Sequence, residues 1–493
     1  MFLVSALDVS ISSITTITRI IVEARAAATT LCLVAAAMSM SAQAALPAPV
    51  AAALERHRLA PDSISIHVAD ADGRVLVSHL ADAPRNPASA MKLVTTYAAL
   101  DLLGPGFTWH TRFLADRPPA GGVLDGNLYI VGGGDPMILV EDFLGMLFAL
   151  RQRGIERIRG DLVIDAGYFD ESSIDTAPID EQSSRAYNAW PASLVVNFRA
   201  TRFIMVPAGP RIDVISEPPS TTIDIDNRLE AVDGPCQGAH RRLVFDPRPN
   251  PAGTTVRLSG RYPRTCGESS ITRTVLSPEH YLRGVFEALW SALGGTLEGG
   301  LVYGDAPDGA VLLLDHQSRP LAEVIAATNK FSNNLMARSL LLTLAAESLG
   351  GPGTVEAGRR AIDNWLAANA FELPHLELDN GAGLSRGTRI TARGLADMLI
   401  DALHHPFRDE YLSSLSLIGI DGSTRKRRAR DVDAGQFRLK TGLLDGVRAA
   451  AGYGLTARGT RLVIVIIQND PALTYDSGNA VQDAVLSFLY RNY

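Results

Sequence analysis

The stretch Asn-Pro-Ala-Ser-Ala-Met-Lys-Leu-Val-Thr-Thr-Tyr-Ala-Ala-Leu-Asp-Leu-Leu-Gly, residues 86–104, decides how this chain is read. Asn86 can cap a helix, Pro87 suits its first position, and Met91, Val94, Ala98 and Leu102 recur at helical spacing until Gly104 ends the run. Ser89 and Lys92 then fall in the first turn, three residues apart, so a hydroxyl and an amine share one face. A serine hydroxyl is a poor nucleophile until a base takes its proton, and a lysine can do so if burial lowers its pKa. The free amides of a helix N-terminus would also stabilise negative charge developing on an attacked carbonyl oxygen.

Working outward, a helix from Pro47 to Arg58 precedes strands Ser63 to Val68 and Arg74 to His79, joined at Asp72-Gly73. Downstream, helical periodicity returns at Leu321 to Thr328, Leu335 to Leu349, Thr354 to Ala368 and Arg393 to Leu403. Strands Gln436 to Thr441, Val447 to Leu455 and Arg461 to Gln468 follow, joined by hairpin turns at Asp445-Gly446 and Ala457-Arg458-Gly459. A last helix packs through Val481, Val485, Phe488 and Leu489. This pattern predicts an α/β fold, a central antiparallel sheet flanked by helices. The basic run Arg425 to Arg430 reads as a solvated loop.

From Phe107 to Leu301 the texture is short strands and turns, among them Gly132-Gly133-Gly134-Asp135-Pro136, Gly160 to Asp165 and Leu194 to Val206. A chain of 493 residues also exceeds what one core supports, roughly 250 to 300 residues. The expected division is therefore a catalytic domain at 45–106 and 302–493, a strand-rich inserted domain at 107–206 and 276–301, and a nested subdomain at 207–275. From their size, the inserted parts are expected to serve as docking surfaces.

Two further motifs stand in order behind Ser89-x-x-Lys92. Ser332-Asn333-Asn334 lies between two helical segments, and Lys440-Thr441-Gly442 ends an edge-like strand, where glycine would let a substrate backbone approach closely. Each alone is weak: Ser423-Thr424-Arg425-Lys426 and Ser477-Gly478-Asn479 match the first two patterns as well, and the bland alternatives are solvent-facing side chains and an ordinary strand end. Order and context make the three together the penicilloyl-serine transferase signature.

With these motifs the chain resembles the class C low-molecular-mass penicillin-binding proteins, D-alanyl-D-alanine carboxypeptidases and DD-endopeptidases of the peptidase family S13 type. Smaller matches are Gly133-Gly134-Asp135-Pro136, Gly383-Leu384-Ser385-Arg386 and Gly419-Ile420-Asp421-Gly422, and the distance from Ser89 to Ser332 resembles that family's inserted domains. The resemblance implies a β-lactamase-like fold and acyl transfer on D-Ala-terminated peptides or cross-links of peptidoglycan, with acylation by β-lactam antibiotics. It implies Ser89 as nucleophile, Lys92 as base, Ser332 and Asn334 as proton relay and substrate contacts, and Lys440, Thr441 and Gly442 as the opposite wall. The backbone amides of Ser89 and Leu443 would form the oxyanion hole, and no metal or organic cofactor is required.

The sequence departs from that pattern in three places. Leu443 stands where the family usually has a hydroxyl that helps bind the substrate carboxylate, which predicts weaker carboxypeptidase activity or a shift toward endopeptidase. Asn380 and Ala382 replace the family's usual Asp and Ser.

A net charge of −7 lacks the basic field that nucleic-acid binding draws on, so nucleic acid is not expected as a partner. Arg19 and Arg25 precede an apolar run from Ala26 to Met40, and Ala42 and Ala44 fit a cleavage site before Ala45. Residues 1–44 are thus expected to be an export signal, the mature protein to be periplasmic, and any membrane contact to be peripheral at most. With Cys32 in the signal, Cys236 and Cys266 remain as an even pair, which favours a disulfide over two free thiols. Thirty positions apart, they are not a CxxC zinc or redox site.

Rival readings have less support. Gly383-Leu384-Ser385-Arg386-Gly387 matches a nucleophile elbow but lacks the flanking strand and helix, and the ten histidines include no H-E-x-x-H. A serine β-lactamase-like hydrolase would share the three motifs without the large insertion. A non-catalytic wall-binding scaffold of the same fold is the alternative from another class.

Overall fold

The protein is described here by a computed structural model, which covers residues 46–236, 238, 242–429 and 432–493. The export-signal reading, Cys32 and Arg430 lie outside the described residues. A six-stranded antiparallel sheet forms the centre, in the order Ser416–Leu417, Phe437–Leu444, Val447–Leu455, Arg461–Asn469, Ile64–Asp70, Val75–His79. The Arg461–Asn469 strand shows why the sheet is covered on both sides. Successive side chains of a strand point to opposite faces. Val463, Val465 and Ile467 accordingly enter one core with the helices Lys92–Leu103, Asn334–Leu349 and Ala392–Ala402. Leu462, Ile464 and Ile466 enter a second core with the helices Ala48–Arg56 and Tyr475–Asn492. Each such fully buried aliphatic side chain is worth about 1.5–3 kcal/mol. The predicted α/β layering is what forms.

Between the helix Lys92–Leu103 and the helix Leu321–Phe331 the chain leaves this sheet. A five-stranded mixed sheet runs Leu301–Tyr303, Leu162–Asp165, Leu128–Gly132, His110–Ala115, Val311–Gln317. Val311–Gln317 therefore pairs with the insertion, whereas the sequence reading placed it with the catalytic residues from 302 onward. Two helices, Val140–Gln152 and Pro278–Ala292, pack on this sheet through Phe143, Leu147, Phe286 and Trp290, so the region is not built of strands alone.

Residues 201–273 add two three-stranded sheets around Phe203, Met205, Val256, Leu258 and Tyr262. Cys236 and Cys266 are joined in a disulfide, tying together the ends of the parallel strands Ile223–Val232 and Gly253–Pro263. The segment read as a solvated basic loop is anchored through Arg427, and Ala429 within it is buried in the second core. Arg427 pairs with Asp483 on the last helix at 2.6 Å, its side chain only 10% exposed. Among the described residues, no helix is long and apolar enough to cross a membrane.

Candidate active site

Ser89 sits on a 3₁₀ turn, Ala88–Met91, and the α-helix begins at Lys92. This corrects the expectation that Ser89 lies in the first α-helical turn capped by Asn86. Asn86 Oδ1 instead accepts from the Ala88 amide at 2.8 Å, and its Nδ2 donates to the Ser385 carbonyl at 2.8 Å. The cause is steric. Ala88 has φ of 45°, and the turn is held between two glycines. A Cβ on Gly383 would lie 1.9 Å from the Ala88 carbonyl oxygen, and one on Gly442 would lie 2.2 Å from that of Pro87. A side chain at Gly442 would thus meet the backbone of the turn that carries Ser89.

Lys92 is fully buried behind the half-buried Ser89. Its Nζ lies 3.0 Å from Ser89 Oγ, 2.7 Å from Asn334 Oδ1 and 2.6 Å from the Ala382 carbonyl oxygen. Burial, and next the charge of Lys440, hold its pKa well below the ordinary lysine range. A neutral amine has two N–H donors and one lone pair. In the neutral form, with the donors on Asn334 and Ala382, the lone pair would face the Ser89 hydroxyl, the geometry a general base needs.

The two departures at 380 and 382 find an account here. Asn380 Oδ1 accepts from the Ala382 amide at 3.1 Å and its Nδ2 donates to the Leu384 carbonyl at 2.9 Å, closing the loop that presents the Ala382 carbonyl to Lys92. That contact is made by backbone, so the side chain at 382 need not carry a hydroxyl.

Ser332 ends the helix Leu321–Phe331 in the left-handed region, φ 56° and ψ 38°. The middle residue Asn333 caps the next helix, its side chain accepting from the Met336 amide at 3.1 Å. Asn334 opens that helix and also donates to the Tyr187 carbonyl at 3.0 Å. Lys440 is fully buried within the strand Phe437–Leu444, and its Nζ donates to Ser332 Oγ and to the Thr441 carbonyl, both at 2.8 Å. Burial pushes its pKa down to about 7. The outermost strand, Ser416–Leu417, pairs only with Leu439 and Arg438, so it does not extend along Lys440 to Leu444.

A cavity of about 420 Å³ joins these segments, with Ser89, Ser332, Asn334, Thr441 and Leu443 on its wall. Lys92 and Lys440 lie buried behind the hydroxyls they contact. Also on the wall are Ile179, Asp180 and Tyr187, from a segment of the insertion that the sequence reading did not single out, and Leu384, Arg386 and Ser423. Nothing in the local sequence of residues 179–187 marks them, because only the tertiary fold carries that loop to the catalytic sheet. Two competing matches separate cleanly. Ser477 forms a capping box with Thr474 at the start of the last helix, and Gly383–Gly387 lies in a loop with no strand before it.

Helices on both faces of an antiparallel sheet, with a serine and a buried lysine at the head of the central helix, define the class: this is the penicilloyl-serine transferase fold. The crystal structure of penicillin binding protein 4 (dacB) from Haemophilus influenzae superposes with a TM-score of 0.73 over 90% of this chain and 99% of that one, at 20% identity. In sequence, a D-alanyl-D-alanine carboxypeptidase from Actinomadura sp. (strain R39) is 32% identical over 81% of this chain and 76% of its own length. The D-alanyl-D-alanine carboxypeptidase DacB of H. influenzae is 24% identical over 77% and 79%. The chain belongs to the D-Ala-D-Ala carboxypeptidase 3 (S13) family, whose sequence model matches residues 46–491.

Proposed function

We propose that this protein is a serine DD-peptidase that cleaves D-Ala-D-Ala termini and D-Ala-containing cross-links of peptidoglycan through an acyl-enzyme on Ser89, and that β-lactams acylate the same serine. The observation that carries this reading is the buried Lys92 amine 3.0 Å from Ser89 Oγ, with its other two hydrogen bonds taken by Asn334 and Ala382. Ser89 Oγ attacks the peptide carbonyl while Lys92 takes its proton, and the tetrahedral oxyanion rests on the backbone amides of Ser89 and Leu443. The C–N bond breaks as the proton taken by Lys92 passes through Ser332, which Lys440 holds by its 2.8 Å hydrogen bond, to the leaving amine. Water then attacks the ester, returns the proton to the serine and releases the shortened peptide. Asn334 and Thr441 hold the peptide on either side of the serine.

Family membership and the carboxypeptidase relatives support the substrate class. We place the protein outside the cytoplasmic membrane, in the periplasm. The disulfide Cys236–Cys266 supports an oxidising compartment, as does the reading of residues 1–44 as an export signal. Release of D-Ala from an acyl-D-Ala-D-Ala peptide, followed for the wild type and Ser89→Ala, tests the reading. The wild type turns over and the variant falls by about 10³-fold or more. Equal turnover by both would refute the role of Ser89.

A further inference from the structure

The Lys-Thr-Gly wall ends in Leu443, which is 53% exposed and brings an apolar side chain to the cavity. One hydroxyl of this strand, that of Thr441, remains on the cavity wall. Ser423 Oγ stands 3.1 Å from Thr441 Oγ1 and lines the same cavity as Ser89 and Leu443. It comes from a different segment, the 3₁₀ turn Gly422–Thr424.

That turn is fixed in place. Asp421 accepts from the Leu417 amide at 2.7 Å and pairs with Lys330 at 2.5 Å, two residues before Ser332. Gly422 has φ of 54°, and a Cβ there would lie 2.2 Å from Ser416 Oγ and 2.8 Å from the Lys330 carbonyl oxygen. The alternative, a serine placed at the surface by chance, gives no reason for its hydroxyl to meet Thr441 at the cavity wall.

We propose that Ser423 is a specificity residue that replaces the hydroxyl absent at position 443: the Ser423 and Thr441 hydroxyls together donate to the terminal carboxylate of the D-Ala-D-Ala substrate. Two adjacent hydroxyls can each turn a hydrogen toward one oxygen of a carboxylate, and hydrogen bonds to a charged acceptor are the stronger kind. A site of this kind also rejects a ligand lacking the charge, because its donors are left unpaired. The proposal rests on the serine DD-peptidase reading above.

The test compares kcat/KM for an acyl-D-Ala-D-Ala peptide with kcat/KM for its C-terminal amide. The wild type favours the free acid. In Ser423→Ala this acid-to-amide ratio falls about tenfold or more, the worth of one charge-assisted hydrogen bond. Ser423→Thr keeps the ratio, and adding Leu443→Thr to Ser423→Ala restores it, which a merely structural defect would not allow. An unchanged ratio in Ser423→Ala, an equal loss on both peptides, or a wild type with no preference for the acid would overturn the proposal. A wild type inactive on both peptides would instead refute the DD-peptidase reading, and the proposal with it.

Discussion

Lys440 Nζ donates a 2.8 Å hydrogen bond to Ser332 Oγ, joining two motifs that lie 108 positions apart in the chain. Both partners are rigidly placed. Lys440 is buried in a central-sheet strand, and Ser332 is the left-handed end of a helix. A charge held in this position contributes to the pH response of the site.

With its pKa pushed down to about 7, Lys440 is an ammonium below neutrality and an amine above it. Its positive charge favours a substrate with a free carboxylate. The acid-to-amide ratio of kcat/KM is therefore predicted to fall several-fold between pH 6 and pH 9, with an inflection near 7 in the free enzyme. A pH–rate profile measures it. A ratio that stays flat across this range would contradict an electrostatic role for Lys440 in carboxylate binding.

The same burial predicts an effect on stability. The unfolded chain holds the Lys440 proton up to about pH 10.4, while the folded protein releases it near 7. The unfolded state thus binds more protons between these values, so stability rises with pH across the window, and the destabilisation is fully present below about 7. Lys440→Met should therefore raise stability at pH 6 by about 1–3 kcal/mol, with the gain fading above pH 10, while activity is lost. Chemical denaturation at the two pH values measures this difference.

At Gly442 the prediction is steric. A methyl group 2.2 Å from the Pro87 carbonyl oxygen must push the Lys-Thr-Gly strand away from the Ser89 turn. Gly442→Ala is expected to lose about 1–3 kcal/mol of stability and to be acylated at least tenfold more slowly, since small misplacements of reacting groups are costly. A thermal melt together with stopped-flow acylation checks both. A normal acylation rate would mean that the strand and the turn move together.

Much of the catalytic sheet was legible because its signals are local. The hairpin turns at Asp445-Gly446 and Ala457-Arg458-Gly459, and the apolar periodicity of the helices, fix those elements almost within the sequence itself. Motif order and family resemblance single out Ser89, Lys92, Ser332 and Lys440, and the fold brings Lys92 to Ser89 and Lys440 to Ser332. Other features depend on tertiary contact. The Ala88 turn packs against Gly383 and Gly442 of distant segments, whose lack of side chains admits its backbone, so the stretch 86–104 alone reads as a plain capped helix. The helix Pro278–Ala292 had a local signal, Ser277 as cap and Pro278 at the first position, which the surrounding Gly- and Pro-rich texture masked. Tyr187 and Asp180 had none. Ser423 was visible only as a competing match to the nucleophile motif, and its place beside Thr441 comes from the fold.

Intact-mass spectrometry of the purified protein, with and without benzylpenicillin, tests the central claim most directly. The account predicts one covalent adduct of the mass of the antibiotic per chain in the wild type and none in Ser89→Ala. No adduct in the wild type, or an adduct that survives Ser89→Ala, would contradict it.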